Sequence, residues 1–139
     1  MRIDRMSFFS ALLAGVTAVF LVGCSPAGIK LDPVSGTVTF DGEPVSDGRI
    51  QFRAVEGDQR AFGGKIEQGR YEVETAPGKM TVEITASRIV PGKFDESNPG
   101  EKTPVGEMYI PARYNSETEL TAEIPSGGVK GLDFALTSQ

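Results

Sequence analysis

The chain contains no histidine and no tryptophan, and it has one cysteine among its 139 residues. The absence of histidine excludes Ser-His-Asp and Cys-His nucleophilic catalysis, and it also excludes zinc sites built on imidazole. A single cysteine cannot form a disulfide within the chain. Carboxylates are the remaining source of acid–base chemistry, and we expect no catalytic residue, bound metal or cofactor.

Basic charge is also scarce, with 14 Lys and Arg residues against 19 Asp and Glu residues and a net charge of −5. Nucleic acid is therefore not an expected partner, because phosphate neutralisation requires a basic surface. A hydrophobic content of 39% is typical of one folded domain. The 17 glycines and 9 prolines, together with frequent Val, Thr and Ile, favour β-strands joined by tight turns.

Residues 1–23 have the pattern of an export signal. Arg2 and Arg5 form a basic start, and an uncharged, mostly apolar run follows from Phe8 to Val22. A transmembrane helix needs about 20 apolar residues, whereas the apolar stretch of a secretory signal peptide has roughly 7–15. The run therefore predicts a signal peptide, and an uncleaved N-terminal membrane helix is the alternative.

The signal ends in four residues that resemble the lipobox of bacterial lipoproteins: Leu21, Val22, Gly23 and Cys24. In that family the cysteine thiol is lipidated and a peptidase cuts before it. The resemblance implies that fatty acids such as palmitate on Cys24 anchor the mature protein in a membrane of the cell envelope, with residues 24–33 as a tether. In a host with two membranes, the resemblance implies that Ser25, in place of aspartate, favours the outer membrane. In a host with one membrane, the anchor lies in the cell membrane.

The sequence after the tether predicts an all-β domain over residues 34–139. Apolar and polar residues alternate with period two, and no apolar stripe with helical period occurs after Cys24. Asp41-Gly42, Asp47-Gly48 and Gln68-Gly69 are typical of tight turns with positive φ. About seven short strands indicate a single β-sandwich.

Eighteen positions of these strands are expected to face the core, and a core of that size supports folding without disulfides. They are Val34, Val38, Phe40, Ile50, Phe52, Phe62, Ile66, Tyr71, Val73, Met80, Val82, Ile84, Leu120, Ala122, Ile124, Leu132, Phe134 and Leu136.

Several short segments resemble carboxypeptidase regulatory-like domains, namely Val34–Val38, Gly42–Val45, Ile50–Phe52, Gly69–Val73 and Pro77–Val82. The resemblance implies a transthyretin-like (prealbumin-like) Greek-key sandwich and specifies no activity. Tyr109–Asn115 and Leu120–Ile124 resemble the C-terminal part of small uncharacterised bacterial lipoproteins that share the same first half.

Two groups of carboxylates could in principle form a catalytic or metal-binding site. Glu72 and Glu74 lie on one strand face, about 6.5–7 Å apart, a spacing that a glycosidase could use. Nothing predicts the desolvated pocket that would raise the pKa of such an acid, so a solvated strand face is favoured. The same holds for weak calcium binding by the acids of a predicted loop, Asp95, Glu96, Glu101 and Glu107.

Residues 88–108 contain three prolines and three glycines without alternation, and they predict a long loop. A disordered excursion is favoured over a partner-binding loop. Phe94, Tyr109, Arg113 and Tyr114 are the candidate contacts for a ligand or partner. The competing interpretation is that Ile110 and Tyr114 cover one end of the sandwich while Arg113 pairs with a carboxylate.

The expected function is that of a non-catalytic, membrane-anchored envelope lipoprotein that acts as a structural or protein-interaction module. The alternative is a module that binds a carbohydrate or small ligand, although three tyrosines and no tryptophan offer few stacking platforms. A hydrolase that uses carboxylates alone is the third possibility.

Overall fold

The structure, a computed structural model, describes residues 28–139. The predicted signal peptide, the lipobox and Cys24 lie outside the described residues. The described part is built from ten strands and one short 3₁₀ helix, with no α-helix. Their bounds are β1 Asp32–Phe40, β2 Glu43–Pro44, β3 Asp47–Ala54, β4 Ala61–Glu67, β5 Arg70–Thr75, β6 Gly78–Asp95, β7 Thr103–Met108, the 3₁₀ helix Ala112–Tyr114, β8 Thr121–Ile124, β9 Val129–Lys130 and β10 Phe134–Leu136.

The strands form one curled and mainly antiparallel sheet, which confirms the all-β prediction. The main order is β10-β1-β5-β4-β3-β6-β7, with β2 and β9 also paired to β1 and β8 paired to β6. Only β9 and β10 run parallel to their partner, β1, among the described pairings. Strand number exceeds the expected seven because β2, β9 and β10 are two or three residues long, too short for alternation to reveal.

The sheet curls where β4 passes into β5. These strands share two residue pairs, Ile66 with Tyr71 and Glu67 with Arg70. Beyond those pairs β4 continues along β3 and β5 continues along β1. The inner faces of the two halves enclose the core. No helix in residues 28–139 has the length and apolar character that a bilayer crossing requires.

Thirteen of the eighteen predicted core side chains are buried, and the other five, Phe40, Phe62, Leu120, Leu132 and Phe134, are partly buried against them. Val45 and Ala86 are also buried without having been predicted, and Ile110 is buried as the end-cover interpretation expected. Alternation therefore identified the inner face of nearly every long strand.

Two of the three predicted tight turns are confirmed. Both central residues have positive φ in Asp41-Gly42 (50° and 84°) and in Gln68-Gly69 (50° and 77°), as a hairpin with matching twist requires. The turn predicted at Asp47-Gly48 is wrong, since both residues belong to β3. Gly48 serves packing there, because a Cβ would lie 2.7 Å from the Thr85 carbonyl oxygen.

The tether is shorter than predicted, because β1 already begins at Asp32 and pairs that residue with Thr75. Asp32 is only 3% exposed. Its Oδ1 lies 3.6 Å from Lys30 Nζ, and its Oδ2 is buried without a hydrogen-bond partner. Residues 32 and 33 thus belong to the folded domain.

The long loop predicted at residues 88–108 is wrong, because these residues form most of a β-hairpin. β6 continues to Asp95, and β7 returns along it. The pairs that join them are Ser87–Met108, Arg88–Glu107, Ile89–Gly106, Phe94–Pro104 and Asp95–Thr103, with an irregularity between Ile89 and Phe94. β3 pairs with β6 only as far as Ala86, so the hairpin projects beyond the core. We call residues 87–108 the arm.

The C-terminal segment is held on β1 by a close backbone approach at Gly36. A Cβ on this residue would lie 2.0 Å from the Leu132 carbonyl oxygen, so only glycine fits. The Leu132 amide donates to the Ser35 carbonyl at 3.0 Å. The Thr37 amide and hydroxyl both donate to Asp133 Oδ1, at 2.7 and 2.9 Å.

Replacement of Gly36 by alanine is expected to push the C-terminal segment off β1 and to lower the free energy of unfolding by at least about 2 kcal/mol, as overpacking does. The matched control is Gly63→Ala, whose new Cβ would meet nothing closer than 3.4 Å. Urea unfolding followed by circular dichroism measures both variants. Equal midpoints for the two would contradict the packing described for Gly36.

Candidate functional site

The described carboxylates are dispersed or already engaged. No group of three or more acidic or sulfur ligands that could hold a metal ion occurs within residues 28–139. Glu72 and Glu74 are exposed on the outer face of β5. In the arm, the hydroxyl of Ser97 donates to Asp95 Oδ1, and the Ser97 amide donates to the same oxygen at 2.9 Å. The hydroxyl bond first, and the amide bond after it, lower the pKa of Asp95. Glu96 is paired with Lys102 at 2.7 Å.

A broad open cleft of about 1220 Å³ lies over β1, β4 and β5. Its lining is polar and of mixed charge: Ser35, Gly36, Thr37, Ser46, Asp47, Lys65, Glu67, Gln68, Arg70, Tyr71, Glu72, Gly131 and Asp133. Such a surface can hydrogen-bond a polar solute, but it offers no free aromatic ring for stacking a sugar.

Tyr71 belongs to this lining but is 4% exposed, and its hydroxyl donates to the Leu132 carbonyl at 2.6 Å. Burial, and after it the nearby Asp133 carboxylate, raises the pKa of Tyr71 well above its ordinary value. This tyrosine therefore fixes the C-terminal segment and is not available to a ligand.

Tyr109, a predicted contact residue, packs at the base of the arm. Its ring meets Phe40 edge-on, with centroids 5.5 Å apart, and the Arg88 guanidinium lies 5.6 Å from the Tyr109 centroid. Burial raises the pKa of Tyr109, and the Arg88 charge opposes that rise. The residue closes the end of the core between the arm and β1.

Arg113 and Tyr114, two further predicted contacts, bind the chain's last residues. Arg113 Nη2 donates to the carbonyls of Thr137 and Gln139, each at 2.6 Å, and its guanidinium lies 4.9 Å from the Tyr114 ring centroid. Among residues 28–139, no Asp or Glu side chain forms an ion pair with Arg113, and its partners are main-chain oxygens of Thr137 and Gln139. The segment after β10 supplies backbone carbonyls at that position, which sequence spacing could not indicate.

Asn115 is a structurally important residue that sequence reasoning missed. It is buried, and its Nδ2 lies 3.0 Å from the Pro111 carbonyl, 3.2 Å from that of Ile110 and 3.4 Å from that of Ile84. The Thr118 hydroxyl donates to the Val82 carbonyl at 2.6 Å. These bonds fasten the connection between β7 and β8 along β6. A polar residue in a loop carries no sequence signal of burial.

The arm carries the most exposed apolar side chains of the folded part. Ile89, Phe94 and Met108 are 61%, 48% and 54% exposed. Residues paired across antiparallel strands project from one face, and alternate residues of β7 do as well. One face of the arm therefore holds three cross-strand pairs without a charged side chain: Ser87–Met108, Ile89–Gly106 and Phe94–Pro104. We call these six residues the arm face.

The arm face holds one of the four predicted contact residues, Phe94. Among residues 28–139, the remaining three pack around the base of the arm and the chain's last residues, so the four do not form one surface. The opposite face of the arm carries the charged pair Arg88–Glu107 together with Val105. A two-stranded ribbon is marginally stable by itself in water, and this one leaves its apolar face open. The arm face is therefore the candidate site.

Comparison with known proteins places the chain in no family. No protein-family model matches it, and no curated protein matches it. Among solved structures, a 9R-lipoxygenase from Cyanothece PCC8801 shows a likeness with 12% sequence identity and a TM-score of 0.37. The match covers 77% of this chain and 16% of that chain.

Tyr114 is expected to ionise first among the three tyrosines. The Thr137 hydroxyl lies 3.4 Å from its oxygen, the Thr137 amide donates to it at 3.2 Å and Arg113 stacks on it, which together lower the pKa of Tyr114 to about 8. Absorbance at 295 nm should show a step near pH 8 that Tyr114→Phe removes. Because the pKa of Tyr114 in the folded state lies below the ordinary tyrosine value of about 10, stability from this group should grow between about pH 8 and 10. A first step near pH 10 in the parent protein would contradict these contacts.

Proposed function

We propose that the protein is a non-catalytic, lipid-anchored envelope lipoprotein that acts as a structural or protein-interaction module through its arm. The observation that carries the proposal is the placement of the arm at the end of the domain opposite the point where the chain enters from Cys24.

β1 and β6 begin at the same end of the domain. Asp32 at the start of β1 pairs with Thr75 at the end of β5, and Gly78 begins β6 three residues later. Four successive antiparallel pairings link β1 to β6, which gives the two strands the same direction. The arm, formed by the far half of β6, therefore projects away from the tether.

The dimensions suit a spacer that presents the arm away from a membrane. β6 has 18 residues, of which three bulge out between Ile89 and Phe94, so it spans about 46 Å at a strand rise of about 3.3 Å. Residues 25–31 could add at most about 25 Å. The described acidic surface disfavours direct contact with an anionic bilayer, so the lipid on Cys24 supplies the attachment.

The finer fold belongs to the same proposal, a transthyretin-like Greek-key sandwich of the carboxypeptidase regulatory-like type. β8, β6, β3 and β4 form one continuous ladder, and β5, β1 and the short C-terminal strands form another. The short contact between β4 and β5 supports two packed layers. Domains of this architecture specify no particular chemistry, and the function must come from the site.

The arm face supports protein contact better than carbohydrate binding. Depletion of charge and enrichment in Phe and Met are typical of protein interface cores. Each of the three tyrosine rings already contacts a neighbouring side chain, so Phe94 on the arm face is the one strongly exposed aromatic ring among residues 28–139.

Cys24→Ala is expected to abolish incorporation of labelled palmitate, because this thiol is the only one in the chain. The measurement is metabolic labelling followed by immunoprecipitation and separation of the membrane fraction. Ser25→Ala is the matched control and should be labelled like the parent. Undiminished labelling of Cys24→Ala would refute the lipid anchor.

Replacement of residues 89–106 by a two-residue Asn-Gly turn should leave the core folded, because the pairs Ser87–Met108 and Arg88–Glu107 remain. The variant is expected to keep its cooperative unfolding and to lose its cross-linked adducts in the native envelope. Glu72→Gln in the cleft is the control and should keep those adducts. Adducts that survive removal of the arm would contradict the proposed role.

A further inference from the structure

We propose that the arm face binds the arm face of a second copy of this chain, so that two anchored molecules associate side by side through a two-fold axis parallel to their arms. This inference rests on the proposed anchored function and names the partner. Three observations support it: the arrangement of large and small residues on the arm face, a glycine at position 106 that the fold itself does not require, and the distribution of charge.

The arm face is complementary to itself. A two-fold axis along the strands places β6 of one arm over β7 of the other at equal height. Ile89 of each copy then lies opposite Gly106 of the second copy, and Met108 lies opposite Ser87, because these residues are already level within one arm. Ile89 and Met108 therefore each meet a small residue, the interdigitation that close-packed sheets need. By the same symmetry, Phe94 of each copy lies opposite Pro104 of the second copy.

Nothing within residues 28–139 requires glycine at position 106. Its φ lies outside the positive range, and a Cβ built on it would meet nothing closer than 3.7 Å, the Ser87 Cβ. Glycine is disfavoured in strands and often marks the close approach of another molecule. The missing side chain leaves a depression on the arm face, opposite the position that Ile89 of a second copy would take.

Charge also favours contact at the arm. The described chain has 12 basic and 18 acidic side chains, so two copies repel each other over most of their surface. The arm has 3 basic and 4 acidic side chains, and its apolar face has none. Contact through the arm face therefore brings no like charges directly together across the interface.

Anchoring makes a small contact sufficient. An arm face of a few residues per copy is below the size of a stable interface between free proteins. Two copies in one membrane share the direction of their arms, which the two-fold axis requires. Confinement to the membrane also raises the effective concentration of the partner.

The test uses Ser87→Cys in the full chain, expressed in two differently tagged versions in the native envelope. A short bifunctional maleimide should join the two tags, because stacked sheets lie about 10 Å apart. Thr103→Cys, which is exposed and lies on the opposite face, is the matched control and should give no such adduct. An adduct with a different protein, or none, would overturn the second copy as partner, whereas palmitate labelling of Cys24 tests the anchor separately.

A rescue experiment tests the register of the contact. In the Ser87→Cys background, Ile89→Ala and Gly106→Val should each reduce the two-tag adduct by about tenfold. Ile89→Ala removes the side chain that projects from the arm face, and Gly106→Val fills the depression that receives it. Mixing the two variants should restore the adduct between unlike chains. In the mixed pair, the shortened side chain at position 89 of one variant lies opposite the enlarged side chain at position 106 of the other. Both positions are exposed, so circular dichroism should be unchanged. Failure of the mixture to recover would overturn the proposed pairing.

Discussion

The placement of the arm depends on β7, which supplies the hydrogen-bond partner for β6 beyond the end of the core. The first half of β6 has β3 on one edge and β8 on the other. Beyond Ala86, β3 no longer pairs with β6, and β7 pairs with β6 on the opposite edge. The buried Asn115 amide fastens the connection between β7 and β8, which keeps the two strands in line along one edge of β6. The core thus positions a ribbon that it does not itself cover.

The sequence predicted the strands in which one face is buried and the other is exposed to solvent. In β3, β5 and the first half of β6, burial alternates with exposure residue by residue, so the apolar pattern reports the core directly. The same logic fails for Asp47-Gly48, because a glycine selected for close approach to Thr85 has the same sequence signature as a turn glycine. The parallel pairing of β9 and β10 with β1 depends on contacts between residues far apart in sequence, which local pattern cannot show.

The candidate site was predicted only through Phe94, and the reason is physical. Both faces of the arm are exposed, so no core selects an alternating pattern, and the prolines and glycines of residues 88–108 favoured a loop. Arg113 was expected to find a carboxylate because ion pairing is the common solution for an arginine, yet the last residues offer carbonyl oxygens at 2.6 Å. Partners supplied by the far end of the chain are set by tertiary structure and leave no trace in nearby sequence.

Exposed ribbons carry a hazard for exported proteins, because open edges can recruit strand after strand into fibrils. Pro91 and Pro104 interrupt the two strands of this ribbon, and neither has an amide hydrogen to offer an incoming chain. Each proline removes one donor from its strand, which disfavours growth by edge-to-edge addition, while the arm face stays accessible. An assembly built on that face is finite, since stacking two ribbons uses up the surface that joins them.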